Sequence, residues 1–328
     1  MPRATRARSA RPETAEPKPA GKRPATGPAA PASAAPALKP TFSIASPDCR
    51  VYVGDCRETL AKLPEIAAGS VDMVFADPPF NWNRAYDEWD DGMPREEYLD
   101  FTRQWLDLCA KGLKPGGAFW VNIPDDTAAE IVVHLKSIGL TMINWCIWHY
   151  RFGQNTTARF INSKVHALYF VKPASSAERT WNASEILEPS DRATTYFDPR
   201  TLDKADGMPP GERVPLDVWY GKFWGRIQGN NKERRANHDN QLPEVYLERV
   251  IRACSNEGDL VLDPFLGSGT TGVVAHALKR RFLGCEFSRA NATSAFKRIQ
   301  EGPIRLGAAA KQSTAIFSPR KRGRGKQV

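Results

Sequence analysis

The tetrapeptide Asp77-Pro78-Pro79-Phe80 sets a carboxylate, two prolines and an aromatic ring in succession. An exocyclic amine on a purine or pyrimidine is a poor nucleophile, because its lone pair is delocalised into the ring. A carboxylate and a main-chain carbonyl that both accept from the NH2 favour a tetrahedral nitrogen whose lone pair points at an electrophile. Paired prolines hold that carbonyl rigidly and offer no competing N–H, and the aromatic ring offers a face to an unstacked base. A second motif runs Asp263-Pro264-Phe265-Leu266-Gly267-Ser268-Gly269-Thr270-Thr271. Its glycines let the backbone approach a ligand, and the helix that follows presents free N–H groups to a carboxylate or phosphate. Glu286 lies 23 residues after Asp263, at the end of the next strand, where an acid can accept from both hydroxyls of a ribose. The Gly-Lys-Ser/Thr ending of a phosphate-binding P-loop is missing. Taken singly, each motif could also be a plain strand-to-loop turn.

Both motifs need strands to carry them. Short apolar runs alternate with helical periodicity, the pattern of βα units around a mostly parallel sheet. Strands are expected at 50–54, 71–76, 118–123, 140–150, 165–171, 259–262 and 281–287, and helices at 57–63, 94–113, 126–137, 243–254, 271–280 and 288–299. In the helix 94–113, Tyr98, Phe101, Trp105 and Leu108 fall at helical spacing, and Lys114-Pro115-Gly116-Gly117 stops it. Residues 178–237, rich in Pro, Gly, Asp, Arg and Trp, have no clean period and read as a long functional insertion or a small separate module.

The chain has 328 residues and a formal charge of +9, which points to an anionic partner, nucleic acid first. The charge is unevenly placed: residues 1–40 carry +6, residues 303–328 carry +7, and the 41–302 stretch between them carries −4. Residues 1–40 hold nine Pro and twelve Ala with no aromatic residue, so this segment reads as a disordered basic arm, and 303–328 as a disordered basic tail. No run approaches the ~18–20 apolar residues of a membrane span, and the N-terminus has no apolar signal core; both imply a cytoplasmic location. Six scattered cysteines without a CxxC pair read as reduced core residues, and no metal site is expected.

The order of the motifs resembles the S-adenosylmethionine-dependent amino-methyltransferases of DNA, in the permuted β class of N6-adenine and N4-cytosine methylases. In that class the D-P-P-Y/F motif comes first, a target-recognition region lies in the middle, and the F-x-G-x-G cofactor motif comes last. Gly54-Asp55-Cys56 and Gln241-Leu242-Pro243-Glu244 add to the likeness, which runs from about residue 48 to 300. It implies a Rossmann-like, doubly wound, mostly parallel seven-stranded methyltransferase sheet. The catalytic part would span 41–177, the target-recognition insertion 178–237 and the cofactor-binding part 238–302. Asp77, Pro78, Pro79 and Phe80 then serve the target amine and base. Asp263, Phe265, Gly267, Ser268 and Gly269 fall to the methionine end of the cofactor, with Thr270 and Thr271 near its carboxylate. Glu286 falls to the ribose, and Asp55 and Cys56 to the adenine. The D-P-P-F form favours adenine N6 over cytosine N4. Where the family often has Glu, this chain has His166.

The implied partners are double-stranded DNA, a cognate restriction endonuclease and a second copy of the chain, with a nucleoid association. An RNA substrate, or a catalytically silent DNA-binding subunit, would be the competing readings. Residues 41–148 carry −8 and residues 149–252 carry +3, which places DNA along the later segment with Arg226, Lys232, Arg234 and Arg235 as phosphate contacts. Trp219, Tyr220, Phe223 and Trp224 read as the small core of the insertion. His149, His166 and His238 read as structural, since the reaction needs no imidazole base. Removal of residues 1–40 and 307–328 is expected to weaken DNA binding and flatten its salt dependence. Filter binding at several salt concentrations checks this, and a change in the selected site would contradict it.

Overall fold

The computed structural model describes residues 38–83, 89, 91–150, 153, 155–174, 179–201, 208–236, 238 and 240–308. In chain order the elements are β1 (Phe42–Ile44), β2 (Cys49–Val53), α1 (Cys56–Lys62), α2 (Pro64–Ala68), β3 (Val71–Ala76), α3 (Arg95–Gly112), β4 (Leu113–Ile123), α4 (Asp125–Ser137), β5 (Thr141–His149) and β6 (Lys164–Val171). The insertion supplies β7 (Glu188–Pro189), α5 (Asp191–Thr194), β8 (Glu212–Arg213) and β9 (Val218–Trp219). The chain then forms α6 (Glu244–Cys254), β10 (Leu260–Asp263), α7 (Thr270–Ala277), β11 (Arg281–Glu286) and α8 (Arg289–Glu301).

One sheet organises the molecule, in the order β1-β2-β11-β10-β3-β4-β6-β5-β9. The strands β2, β11, β10, β3 and β4 are parallel, whereas β6 runs antiparallel to both β4 and β5. The seven expected strands form its body. Two short strands extend it: β1 pairs antiparallel with β2, and β9 pairs parallel with β5. All residues of β3 and β10 are buried, as a parallel strand covered by helices on both faces requires.

Local chemistry explains several boundaries. Asp55 caps α1 by accepting from the Arg57 N–H at 2.8 Å. In α3 the buried face is Tyr98, Phe101, Thr102, Trp105, Leu106 and Cys109, and Leu108 lies beside it half-buried. Lys114-Pro115-Gly116-Gly117 follows the end of α3, as expected, and forms the first part of β4. Gly116, whose φ is +78°, donates to the Lys172 carbonyl at 3.0 Å and Lys172 donates back to Gly117 at 3.1 Å, so the stretch is held as an irregularity within the strand.

The insertion is not a separate module. Residues from Ala37 onward cluster as one compact unit. Trp219 and Trp224, 5% and 2% exposed, belong to the main core and not to a core of the insertion's own. Trp219 packs against Trp120 and Tyr246, with ring centroids at 5.9 and 5.3 Å. Arg249 of α6 lies 4.4 Å over the Trp224 ring and pairs with Glu188 at 3.0 Å. Tyr220 and Phe223 are only half-buried.

The folded body also reaches further into both tails than the sequence suggests. Leu38 packs on the core. Ile304 and Arg305 donate their backbone N–H groups to Glu244 at 2.8 and 2.7 Å, so residues 303–308 belong to the folded body. Most of the arm and tail, 1–37 and 309–328, lies outside the described residues. No helix among the described residues is long and apolar enough to cross a membrane.

Truncation of Trp224 to Ala is expected to cost about 3–5 kcal/mol while urea unfolding stays a single transition. A separate early transition would show the insertion to be an independent unit.

Candidate active site

Strands β3 and β10 are parallel neighbours, with Met73 opposite Val261 and Val74 opposite Leu262. The chain leads from β10 to β11 on one side of this pair and from β3 to β4 on the other. At such a switch point the loops after the two strands diverge and leave a crevice. Asp77 follows β3 and Asp263 ends β10, so the two motifs face one cavity of about 450 Å³. That volume is in the range of nucleoside-sized ligand sites.

The cavity wall contains Asp55, Cys56, Asp77, Pro78, Pro79, Phe80, Asp263, Phe265, Gly267, Ser268, Thr270, Thr271 and Glu286. Gly269 stands behind it. Its φ is +79°, and a Cβ there would meet Ala295 of α8 at 2.9 to 3.1 Å, so glycine is required for the close approach of loop and helix. The sequence did not single out Trp89, Phe101, Phe287 and Asn291, which also line the cavity. Trp89 contacts Phe101 and Phe287 at 4.9 and 5.6 Å between centroids, and Phe101 meets Phe265 at 6.1 Å. These rings make an apolar wall for a planar ligand. Phe287 had one signal available, its place directly after Glu286 at a strand end.

Hydrogen bonds shape the Gly-rich turn. Glu286 accepts from the Gly267 N–H at 2.8 Å and from the Ser288 N–H at 3.0 Å, which fixes its carboxylate at the cavity edge. Asp263 accepts from the Phe265 N–H at 2.9 Å and from the Thr271 side chain. Beneath the turn lies Arg298, fully buried. Its guanidinium donates to the Ser268 carbonyl at 3.1 Å and to the Thr270 hydroxyl at 2.8 Å, and it pairs with buried Glu244 at 2.9 Å.

The Asp77 motif is held with equal care. The Asp77 carboxylate accepts from the Asn122 amide at 2.7 Å, and the Asn122 carbonyl accepts from the buried Tyr246 hydroxyl at 3.2 Å. The Tyr98 hydroxyl donates to the Pro79 carbonyl at 2.7 Å and leaves that of Pro78 to other donors. After Phe80 the chain turns through Asn81, whose φ is +58°. The Asp91 carboxylate holds the Asn81 and Trp82 N–H groups, both at 2.9 Å.

Burial pushes Asp77 up to about 7; the Asn122 amide opposes this, the nearby Asp263 adds to it, and the Arg226 charge draws it down. Asp263 is likewise pushed up to about 7 by burial, against its Thr271 and Phe265 donors and with a small push from Glu286. A carboxyl raised in the folded state contributes stability that is present near pH 4 and lost as pH rises toward 7. The site therefore keeps two reluctant anions at the expense of stability.

A second, small cavity of about 10 Å³ adjoins the first and shares Phe80, Asn240 and Leu242 with it. Trp82, Asn122, Trp148, Tyr150, Val165 and Arg226 complete its wall. The four candidate DNA contacts thus fall into different places. Arg226 lines this inner space, Arg235 pairs with Glu301 at 2.9 Å, and Lys232 and Arg234 are exposed. His166 lines neither cavity; it accepts from the Trp145 indole at 2.7 Å and bonds Asp125 at 2.5 Å. His238, read as structural, lies on the wall of the large cavity. All six cysteines are buried, and no group of His, Cys, Asp and Glu among the described residues is placed to hold a metal.

A doubly wound sheet with a cavity of this size at its switch point, and carboxylates in the cavity's wall, is the setting of a nucleoside-ligand site. The family model described as DNA methylase matches residues 71–297. The chain belongs to this N6/N4 DNA methylase family. It is 30% identical over 245 residues to the type II methyltransferase M.HpaI of Haemophilus parainfluenzae, a span of 74% of this chain and 73% of the relative. The crystal structure of the M1.HpyAVI complex with SAM is similar with a TM-score of 0.51 at 20% identity, covering 76% of this chain and 98% of that one. The cytosine-N4-specific PvuII DNA methyltransferase is similar with a TM-score of 0.57 at 17% identity, covering 85% and 91%. At these identities the two structures speak for the fold.

Replacing Asn122 by Ala removes a donor that favours the ionised Asp77, so the carboxyl is expected to titrate above its starting value of about 7. Carboxyl carbon-13 NMR reads this directly, and an unmoved titration would contradict the bond.

Proposed function

We propose that this chain is a site-specific DNA methyltransferase that transfers a methyl group to N6 of adenine in a base flipped out of duplex DNA. The observation that carries the reading is the meeting of Asp77 and Asp263, from adjacent strand ends, in one cavity. S-adenosylmethionine, when bound, supplies an electrophilic methyl group. The residues present suit it: the Glu286 carboxylate for the ribose hydroxyls, the aromatic wall of Trp89, Phe101 and Phe287 for a planar base, and Asp263 with the Gly-rich turn for the methionine end.

The chain's own groups prepare the acceptor. Asp77 and the Pro78 carbonyl accept from the two N–H bonds of the amine, which favours a tetrahedral nitrogen. The ionised Asp77 can take up the proton that the nitrogen sheds after methylation, a task suited to a carboxyl whose pKa is near neutral. Phe80, packed edge-on against Trp82 at 5.2 Å, offers the base a face.

An acid at the head of D-P-P-F supports adenine over cytosine. The net positive charge of 149–252 supports a DNA path along that segment. The same reading gives the enzyme a restriction-modification setting with a cognate endonuclease.

Expression in a methylation-free host followed by single-molecule sequencing tests base and site together. N6-methyladenine at one short motif is expected, and N4-methylcytosine would transfer the reading to the other base. In Asp77→Ala the modification should vanish while S-adenosylmethionine binding by calorimetry persists; a mutant that still methylates would remove Asp77 from the chemistry.

A further inference from the structure

The wall of the small cavity beside Asp77 includes Arg226 and Asn240. An Arg226 Nη donates to the Asn240 Oδ1, and the guanidinium carbon stands 5.2 Å from the Tyr150 ring centroid. Asn122, which holds Asp77, lines the same space, and the Arg226 charge acts on Asp77. A volume of about 10 Å³ admits a water molecule at most and no planar base. A base seated against this wall needs the space widened, and opening the Arg226–Asn240 bond would widen it.

We propose that Arg226 is the residue that selects the acceptor base. When a flipped base enters, its guanidinium exchanges the Asn240 carbonyl for the ring nitrogen beside the exocyclic amine. This rests on the methyl-transfer reading above, and it replaces the phosphate contact that charge alone suggests for Arg226. Adenine and cytosine both present an amine donor next to a ring-nitrogen acceptor, N6 with N1 and N4 with N3. A guanidinium can only donate, while an ionised Asp77 and the Pro78 carbonyl can only accept. Guanine and thymine carry a ring N–H and a carbonyl on that edge, which sets donor against donor and acceptor against acceptor. Donation to the ring nitrogen draws density away from the amine, so Arg226 selects and positions the base without activating it. Its effect belongs in DNA KM more than in kcat.

The test uses a duplex carrying the mapped site, with the target base's ring nitrogen replaced by C–H, as in 1-deazaadenine or 3-deazacytosine. Wild-type enzyme is expected to lose roughly 10- to 100-fold in kcat/KM on this duplex, mostly through KM. Arg226→Met should show a similar loss on the natural base and no further loss on the deaza base. Arg226→Lys should recover part of the activity on the natural base. Unchanged S-adenosylmethionine binding by calorimetry shows that the variants are folded, and the wild-type comparison needs no variant. Equal discrimination by wild type and Arg226→Met would overturn the proposal. So would a loss that is uniform across bases with a shallower salt slope, the mark of a phosphate contact. A wild-type enzyme that methylates the natural site but ignores the deaza replacement sinks the Arg226 assignment alone. One that methylates no nucleic acid sinks the underlying function with it.

Discussion

The parallel pairing of β3 with β10 is the constraint on which the site depends. These strands are separated by about 190 residues of chain, yet their register brings Asp77 and Asp263 to neighbouring positions on one edge of the sheet. Because chain order reverses there, the two loops part and leave room for a ligand between them. The same adjacency makes the site electrostatically tense. Two carboxyls share a buried space, each resists ionisation, and the surrounding donors Asn122, Thr271 and the Phe265 N–H only partly relieve the strain. Buried Asp or Glu without full pairing is costly, and a protein keeps such groups where chemistry needs them.

A second buried network keeps the Gly-rich turn in place. Arg298 has no exposure and joins the turn to Glu244 at the start of α6, and Glu244 also accepts from the Ile304 and Arg305 backbone. Glu233, at the end of the insertion, pairs with Arg305 at 2.6 Å and accepts from the Glu244 N–H at 2.9 Å. Buried ion pairs add little net stability because desolvation offsets their attraction. Their geometry does set a register: insertion, helix, Gly-rich turn and the start of the tail meet at a single cluster of charges.

The insertion contributes to the main core and to the wall of the inner cavity. Trp219 and Trp224 complete the main core, and Arg226, two residues on, reaches the inner cavity. The segment that lacks periodicity in the sequence thus supplies residues at the reacting edge of the fold.

The sequence by itself determined the βα pattern, all seven main strands, both motifs and their order, and half of the cavity wall. These were legible because apolar periodicity and Gly or Pro punctuation are local properties. It also drew the ends of the folded body too tightly, since the bonds of Ile304 and Arg305 to Glu244 join residues about 60 positions apart. Only the tertiary structure decided what long-range contacts decide. It gave Asp77 its Asn122 and Tyr246 partners, put Arg298 beneath the turn, and gathered Trp89, Phe101 and Phe287 into one wall. It also divided four basic residues that charge counting treats alike: Arg226 is drawn inward by Asn240 and Tyr150, Arg235 is tied to Glu301, and Lys232 and Arg234 are left at the surface. Charge can be summed along a chain, but what a charge faces depends on which distant residues the fold packs beside it.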